Sequence, residues 1–310
     1  MSLPPLRERL RRGDVLVGDG GWGTMLMARG LVPGTPPESF VLDRPDAIRE
    51  VARLYLDAGA DLITTDTFGA TSLNLASYHL ADRAEEINRG AVALVREVAQ
   101  GRAYVSASIG PSARILAPVG DTEPDEVRGA FERQIRSVVE AGADVLCIET
   151  MTDVTEARLA VEAARSIARD TPVIATMTFD RTPRGFFTIM GVSIEKAART
   201  LEAAGADVLG SNCGQGMDAM VEVARAFRAV TSLPLIIQAN AGLPESRGGA
   251  LVYPETPDFM AARVSALLDA GVSIIGGCCG TTPDHIKAIR QAVTAHLARG
   301  SAHALHHPPP

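Results

Sequence analysis

One phrase recurs four times along this chain, and its spacing limits the folds that the chain can adopt. The copies are DAGADLITTDTF from residue 57, EAGADVLCIETM from residue 140, AAGADVLGSNC from residue 203 and DAGVSIIGGCC from residue 269. In each copy an alanine-rich helical stretch ends on a glycine, which suits the left-handed conformation that terminates helices. A run of apolar, often β-branched residues follows, as is typical of a buried strand. The phrase therefore predicts a helix followed by a strand, four times over.

Four more strand-like segments flank these copies, at residues 15–20, 104–110, 173–179 and 235–242. Helical patterns lie between them, for example at 125–141 and 155–169. Eight strand–helix alternations over about 280 residues predict an α/β fold, a (β/α)8 TIM barrel in a single domain. The alternative, a doubly wound open sheet, usually has a G-x-G-x-x-G turn after its first strand, and Gly18, Gly20 and Gly23 of GDGGWGT have that spacing. The eight alternations nevertheless favour the barrel. We expect residues 1–14 to form a helical lead-in, 15–298 the barrel and 299–310 a disordered His/Pro tail.

Composition and charge exclude several classes of protein. The chain has 310 residues, a net charge of −7 and a pI near 5.4. Without a basic stripe, nucleic acid is not an expected partner. Its apolar runs are of strand length, so we expect no membrane span, and the N-terminus lacks the apolar core of a signal peptide. Four cysteines without a secreted disulfide framework favour the cytoplasm.

Three of the cysteines fall at the ends of predicted strands. Cys213 ends the sixth strand, and Cys278 and Cys279 end the eighth. Strand ends converge at the mouth of a barrel, where the chemistry of this fold takes place. Neighbouring residues of a regular strand point to opposite faces, but the glycines around the adjacent pair allow the backbone to leave strand geometry. Three converging thiols predict a Zn²⁺ site with its fourth position open.

Other interpretations of the cysteines stay open at this point. The adjacent pair is compatible with a strained redox disulfide or with two small buried residues, and Cys147 is expected in the core. The two lysines, Lys196 and Lys287, do not end strands, which argues against a Schiff-base aldolase. No histidine cluster ends the strands either, which argues against a barrel hydrolase. A sulfur-only zinc site suits a reaction at a substrate thiol.

Six segments resemble the homocysteine S-methyltransferase family, and most nearly the homocysteine-binding barrel of cobalamin-dependent methionine synthase. They are GDGGWGT, TTDTFGA, ETMTD, SNCGQG, QANAG and GGCCGTTPDHI, and the resemblance runs from about Gly18 to His285. It implies a (β/α)8 barrel in which Cys213, Cys278 and Cys279 hold Zn²⁺. The homocysteine thiolate would take the fourth position.

The same resemblance implies how the substrate is held. Asp19 and Glu149 match the residues that would bind its ammonium group, and Gly20 and Gly21 would offer backbone N–H groups to its carboxylate. The other residues expected at the substrate are Thr67, Phe68 and Asn240, the last of which would brace the pocket.

The chain departs from the family pattern at two positions. Gly21 stands where the first motif more often has alanine, and Asp66 stands where the second motif usually has asparagine. Asp66 adds a carboxylate near the mouth of the barrel. We expect this change to bear on how a methyl donor docks.

The resemblance predicts a zinc-dependent enzyme that methylates homocysteine to methionine. The chain is too short to hold corrinoid- or folate-binding domains as well, so the expected donor is methylcobalamin on a separate corrinoid protein. Two alternatives stay open. One is a small donor such as S-methylmethionine or betaine, and the other is a non-catalytic zinc-thiolate subunit of a larger methyl-transfer complex.

Overall fold

Eight parallel strands form the centre of the protein in the computed structural model, which describes residues 3–247 and 250–306. Two short antiparallel hairpins are added on loops. In chain order the strands are β1 Leu16–Val17, β2 Leu62–Thr64, β3 Tyr104–Ile109, β4 Val145–Met151, β5 Val173–Met177, β6 Asp180–Thr182, β7 Gly185–Phe187, β8 Val208–Asn212, β9 Leu235–Ala239, β10 Glu245–Arg247, β11 Ala250–Val252 and β12 Val272–Gly277.

The eight parallel strands close into a barrel. Their order is β1-β12-β9-β8-β5-β4-β3-β2, and every pairing is parallel. A bridge between Gly18 and Leu62 joins β1 to β2 and completes the ring. The predicted single-domain (β/α)8 barrel is confirmed. The hairpins β6–β7 and β10–β11, which the sequence pattern did not predict, follow β5 and β9 at the upper, C-terminal end of the barrel.

The helices surround the barrel and pack their apolar faces on it. They are α1 Leu6–Arg11, α2 Trp22–Met27, α3 Phe40–Asp43, α4 Pro45–Asp57, α5 Ser72–Leu75, α6 Ala84–Ala99, α7 Pro124–Glu140, α8 Val154–Ile167, α9 Ile194–Ala204, α10 Met217–Arg228, α11 Pro257–Ala261, α12 Val264–Asp269 and α13 Pro283–His306. None of the helices in the described part of the chain has the length and apolar character that crossing a membrane requires.

Three of the four repeated phrases form the same turn at the lower end of the barrel, and the fourth has Ser273 where the others have an aspartate. Gly59, which ends the first copy's helix, has a φ of 96°, and its carbonyl accepts a hydrogen bond from Arg290 Nε at 2.8 Å. Two residues later, Asp61 pairs with the same arginine and accepts the backbone N–H of Val17 at 2.9 Å. The aspartate thus ties each new strand to the strand before it. The corresponding triads of the second and third copies are Gly142, Asp144 and Arg96, and Gly205, Asp207 and Arg165.

Side chains from all eight barrel strands fill the lower interior, and α1 covers them. Leu6 of α1 is 2% exposed and packs on this cluster. Cys147 belongs to it as well, buried among aliphatic side chains as the sequence pattern predicted. The N-terminal lead-in therefore acts as a plug for the barrel.

The end of the chain differs from the expected tail. Helix α13 continues to His306, so residues 299–306 are helical rather than disordered. The alanines and leucine of this stretch are good helix formers, which accounts for the extension. Residues 307–310 lie outside the described residues, and the expectation of disorder there stays a prediction.

Candidate metal centre and substrate cavity

A cavity of about 530 Å³ opens at the upper end of the barrel, where the strands end. Segments that follow β1, β2, β8 and β12 contribute to its wall. Among the residues that line it are Asp19, Gly20, Gly21, Trp22, Glu38, Asp66, Phe68, Tyr78, Glu149, Cys213, Cys278 and Cys279. Most of the residues predicted for the site are thus brought together in one cavity.

The three strand-end cysteines meet at this cavity. Their sulfur atoms all lie within 4.8 Å of one another, and Cys213 Sγ is 4.0 Å from Cys279 Sγ. All three cysteines are free thiols. Zinc–sulfur bonds of about 2.3 Å in a tetrahedron place sulfur atoms about 3.8 Å apart. The trio therefore fits a zinc ion, and metal binding by these residues stays a prediction.

The backbone leaves strand geometry both at Cys213 and around Cys278 and Cys279. Strand β12 ends at Gly277, and a turn follows in which Thr281 N donates to Cys278 O at 3.1 Å. Gly280 has a φ of 78°, and a Cβ atom there would meet the Tyr253 ring at 2.0 Å. Cys213 has a φ of 61°, an uncommon conformation for a residue with a side chain. These departures from regular structure direct Cys278 and Cys279 toward Cys213.

Hydrogen bonds around the trio favour a single negative charge, on the sulfur of Cys213. Bonds from Cys278 and Cys279 lower the pKa of Cys213, whereas sharing that thiolate raises the pKa of both donors. Asn240 also hydrogen-bonds Cys213, and Asn212 Nδ2 lies 3.9 Å from Cys278 Sγ. With no metal, only one of three adjacent sulfurs readily ionises. A bound cation would allow all three to do so, as zinc ligands require.

Two carboxyl groups face the same cavity. Asp19, 1% exposed, accepts hydrogen bonds from Trp22 Nε1 at 2.8 Å and from both the N–H and the hydroxyl of Thr64. Glu149 accepts bonds from the Ser108 hydroxyl and from Asn212 Nδ2. These bonds fix both carboxyl groups in place.

The environment of these groups favours their neutral forms. Burial raises the pKa of Asp19 to about 6, although hydrogen bonds from Trp22 and Thr64 oppose the shift. Burial likewise raises the pKa of Glu149 to about 7, and the charges of Asp19 and Cys213 add to the rise. Within the described part of the chain, no lysine, arginine or histidine side chain is among the main causes of either pKa shift. A cation from outside the protein would stabilise both carboxylates.

We expect Asp19→Asn to stabilise the substrate-free protein at pH 8 and to leave its stability almost unchanged at pH 4. The stabilising effect of protonated Asp19 is fully present below pH 3.8 and is lost as the pH rises through about 6. Above that pH the wild-type protein carries a buried charge, which costs at most about 3 kcal/mol at about 1.4 kcal/mol per pKa unit. The asparagine amide removes the charge and can satisfy the same partners.

Chemical denaturation at both pH values measures this difference. Asp82→Asn, at an exposed position, makes the same charge change outside the cavity and serves as the control. An equal gain for Asp19→Asn at pH 4 and pH 8 would contradict the assignment of the effect to the buried charge.

The remaining predicted substrate residues occupy different environments. Phe68 lines the cavity and is 41% exposed, whereas Thr67 is fully buried and its hydroxyl donates to Ser108 O at 2.7 Å. Thr67 thus does not line the cavity, because its side chain points between the strands. Asn240 is 5% exposed and is not among the residues that line the cavity, but its side chain lowers the pKa of Cys213 by hydrogen bonding.

The two glycines after β1 are constrained by their neighbours. The N–H of Gly21 already donates to the Thr281 hydroxyl at 3.0 Å. A Cβ atom on Gly21 would lie 2.6 Å from Cys278 O, so alanine, the more common family residue, would not fit here without a shift. A Cβ atom on Gly20 would meet the Thr281 hydroxyl at 2.7 Å and the Tyr55 ring at 2.9 Å. Both glycines therefore permit the close approach of the first and last strand ends.

Sequence reasoning missed several residues of the cavity wall. Trp22 lies inside the first motif, GDGGWGT, and its place beside Asp19 could have been predicted from that motif. Glu38 lies on the short 3-10 turn Pro37–Ser39, far from any strand end, and no pattern pointed to it.

A barrel with three converging thiols and two carboxyl groups at the C-terminal ends of its strands has the architecture of a (β/α)8 enzyme that binds a small substrate at that end. A family model, homocysteine S-methyltransferase, matches residues 16–293. The chain therefore belongs to the homocysteine S-methyltransferase family, whose members are enzymes that transfer a methyl group to a thiol.

Two curated relatives, both called methionine synthase, come from mycobacteria. The chain is 32% identical to that of Mycobacterium leprae over 315 residues, covering 95% of this chain and 26% of the relative. It is 33% identical to that of Mycobacterium tuberculosis, covering 90% of this chain and 24% of the relative. The chain thus spans about a quarter of the length of these proteins.

Solved structures support the fold. The metallated form of the homocysteine methyltransferase MmuM from Escherichia coli has a TM-score of 0.78 and 23% identity, covering 93% of this chain and 99% of the other. Its apo form has a TM-score of 0.71 at 23% identity, with 93% and 100% covered.

Proposed function

We propose that this protein methylates homocysteine to methionine with a zinc ion held by Cys213, Cys278 and Cys279. The observation that carries the proposal is the convergence of three free thiols on a cavity that also presents the carboxyl groups of Asp19 and Glu149. An all-sulfur site with three protein ligands leaves one position for a substrate thiol. Free thiols of this kind need a reducing compartment, and we propose the cytoplasm.

The bound zinc would supply Lewis acidity that keeps the substrate thiol deprotonated at neutral pH. The protein's own residues would hold the rest of the substrate. Asp19 and Glu149 would pair with its ammonium group, which brings both carboxyl groups into their charged forms. Gly20, whose backbone borders the cavity, would face its carboxylate.

Orientation of the thiolate is the larger contribution of the protein. A free thiol with a pKa near 8.5 is only about 3% ionised at pH 7, so complete ionisation gains roughly 2 kcal/mol. Holding the sulfur in line with the methyl carbon contributes up to about 7–11 kcal/mol. The transfer is then a single displacement on the methyl carbon, with no protein nucleophile.

For the methyl donor, we propose first methylcobalamin carried by a separate corrinoid protein. The two mycobacterial relatives named methionine synthase support this choice. Exposed apolar side chains support it as well. Of the eleven large apolar side chains described as exposed, ten lie on segments that follow barrel strands, among them Ile115, Val119, Ile189, Leu243 and Leu251. Exposed apolar side chains on the segments that follow the strands favour a protein partner on this face of the barrel.

A small donor is the second candidate, and the cavity itself favours it. At about 530 Å³ the cavity is of the size that holds drug-sized ligands, so homocysteine need not fill it. A non-catalytic zinc-thiolate subunit would have the same metal centre and no turnover.

Metal analysis and a donor screen test the proposal. We expect one zinc per chain, lost on treatment with a thiol chelator, and methionine formed from homocysteine with methylcobalamin, S-methylmethionine or betaine as donor. Each donor is supplied separately, and methylcobalamin is supplied both free and on a corrinoid protein. A zinc-loaded chain that forms no methionine under any of these conditions would overturn the enzymatic proposal.

A further inference from the structure

A tyrosine that the sequence motifs did not indicate lies against the turn that carries the cysteine pair. Tyr253 follows β11 and is half-buried. A Cβ atom on Gly280 would lie 2.0 Å from the ring of Tyr253, so the ring covers the backbone directly after Cys279. Glycine is the residue that leaves room for so close an approach. The phenol hydroxyl of Tyr253 also hydrogen-bonds the side chain of Cys279. Ring and hydroxyl thus both contact the cysteine turn.

The segment that carries Tyr253 is held in place by Glu255. The N–H of Glu255 donates to Ala241 O at 2.9 Å, which connects the segment to the end of β9. The carboxylate of Glu255 accepts the N–H of Met217 at 2.9 Å. Met217 begins α10, so this carboxylate lies at the positive end of a helix. These bonds fix the backbone two residues away from the tyrosine.

His285 connects the same segment to the cysteine turn. It is 7% exposed, and its Nε2 lies 2.9 Å from Glu255 O, while its Nδ1 lies 3.1 Å from the backbone N of Thr282. A backbone N–H can only donate and a carbonyl can only accept, so Nδ1 accepts and Nε2 carries the proton. The imidazole therefore joins the end of the cysteine turn to the segment of Tyr253. This contact gives a role to the histidine of the GGCCGTTPDHI motif, which is not among the residues that line the cavity.

The hydroxyl of Tyr253 completes a set of uncharged donors around the three sulfurs. A zinc ion held by three cysteine thiolates and a substrate thiolate would be surrounded by more negative charge than it neutralises. Hydrogen bonds from outer groups stabilise that charge and orient the ligands. The donors and their cysteines are Asn240 at Cys213, Asn212 at Cys278 and Tyr253 at Cys279. Each sulfur of the trio thus has a neutral side-chain donor beside it.

We propose that Tyr253 is a positioning residue of the metal centre, whose ring holds the cysteine turn at Gly280 and whose hydroxyl orients the sulfur of Cys279 toward the ion. This inference rests on the proposed zinc site and adds to it a residue from outside the strand ends. Tyr253 is not among the residues that line the cavity, so it acts on the metal through Cys279 rather than on the substrate.

Tyr253→Phe isolates the hydrogen bond, because it removes the hydroxyl and keeps the ring on Gly280. We expect zinc to bind about tenfold more weakly to this variant, as is typical when a metal ligand loses an outer partner. Competition with a chromogenic chelator measures the affinity. In the cobalt-substituted protein, the thiolate-to-cobalt charge-transfer absorption should move to longer wavelength, because a sulfur that loses a hydrogen bond holds its electrons less tightly. A purely structural role of the tyrosine would not move this absorption.

Tyr78→Phe is the matched control, since it removes a phenol hydroxyl from the cavity wall, away from the sulfurs. It should leave both the zinc affinity and the cobalt absorption unchanged. An equal loss of affinity in this control would overturn the inference, because the cause would then be a general change of the cavity. Unchanged affinity together with an unchanged cobalt absorption in Tyr253→Phe would also overturn it, while one zinc per chain would leave the proposed function standing. A wild-type protein that binds neither zinc nor cobalt would instead contradict the metal centre itself.

Discussion

Cys213→Ala should bind no stoichiometric zinc and lose at least about a thousandfold of its homocysteine methylation rate, because in the proposed site both thiol activation and sulfur positioning depend on the trio. Cys213 is the sulfur that receives hydrogen bonds from both other cysteines, so its removal leaves a pair that cannot enclose a tetrahedral ion. Metal content by mass spectrometry and methionine formation are measured on the same preparation. Alanine has the same Cβ as cysteine, so the φ of 61° costs no more in the variant.

Cys147→Ala provides the matched control. It also removes one thiol, but from the aliphatic cluster at the lower end of the barrel. This variant should keep one zinc per chain and its activity, with only a modest loss of stability from the small cavity it creates. Full zinc occupancy and full activity in Cys213→Ala would show that the converging sulfurs are not the metal centre.

Glu149→Gln should lower kcat/KM for homocysteine by about a hundredfold, since the proposed charge-assisted pair with the substrate ammonium would be replaced by a neutral contact. The glutamine amide can still bond the Ser108 hydroxyl and Asn212, so the fold should be retained. The substrate analogue 4-mercaptobutyrate, which lacks the ammonium group, supplies the control. Wild-type protein and variant should differ little with this analogue. An equal loss with both thiols would indicate that Glu149 acts on the cavity in general rather than on the ammonium group.

The sequence predicted those parts of the site that follow from strand topology. Once eight alternations were recognised, Asp19, Glu149 and Cys213 had to lie on one rim, because the ends of parallel strands share that rim. Side-chain direction was not predictable in the same way. Thr67 comes from the same loop as Phe68, but it points between strands while Phe68 faces the cavity.

Residues outside the strand ends lay beyond the reach of such reasoning. Glu38 reaches the cavity from the connection between β1 and β2 through its bond to Gly69, a contact between segments 31 residues apart. The hairpins β6–β7 and β10–β11 were likewise missed, since each strand is only three residues long and lies inside a loop. Short elements leave too few residues for a periodic pattern to be recognised.

The repeated glycine, aspartate and arginine triads place the ties between strands at one end of the barrel and the chemistry at the other. Sequence change on the upper loops therefore leaves those ties intact. Related barrels can therefore differ in an upper loop, and with it in the methyl donor that they use, while the contacts at the lower end still hold the strands together. Related proteins that use different methyl donors are then expected to differ in the connections above the strands and to share the turns below them.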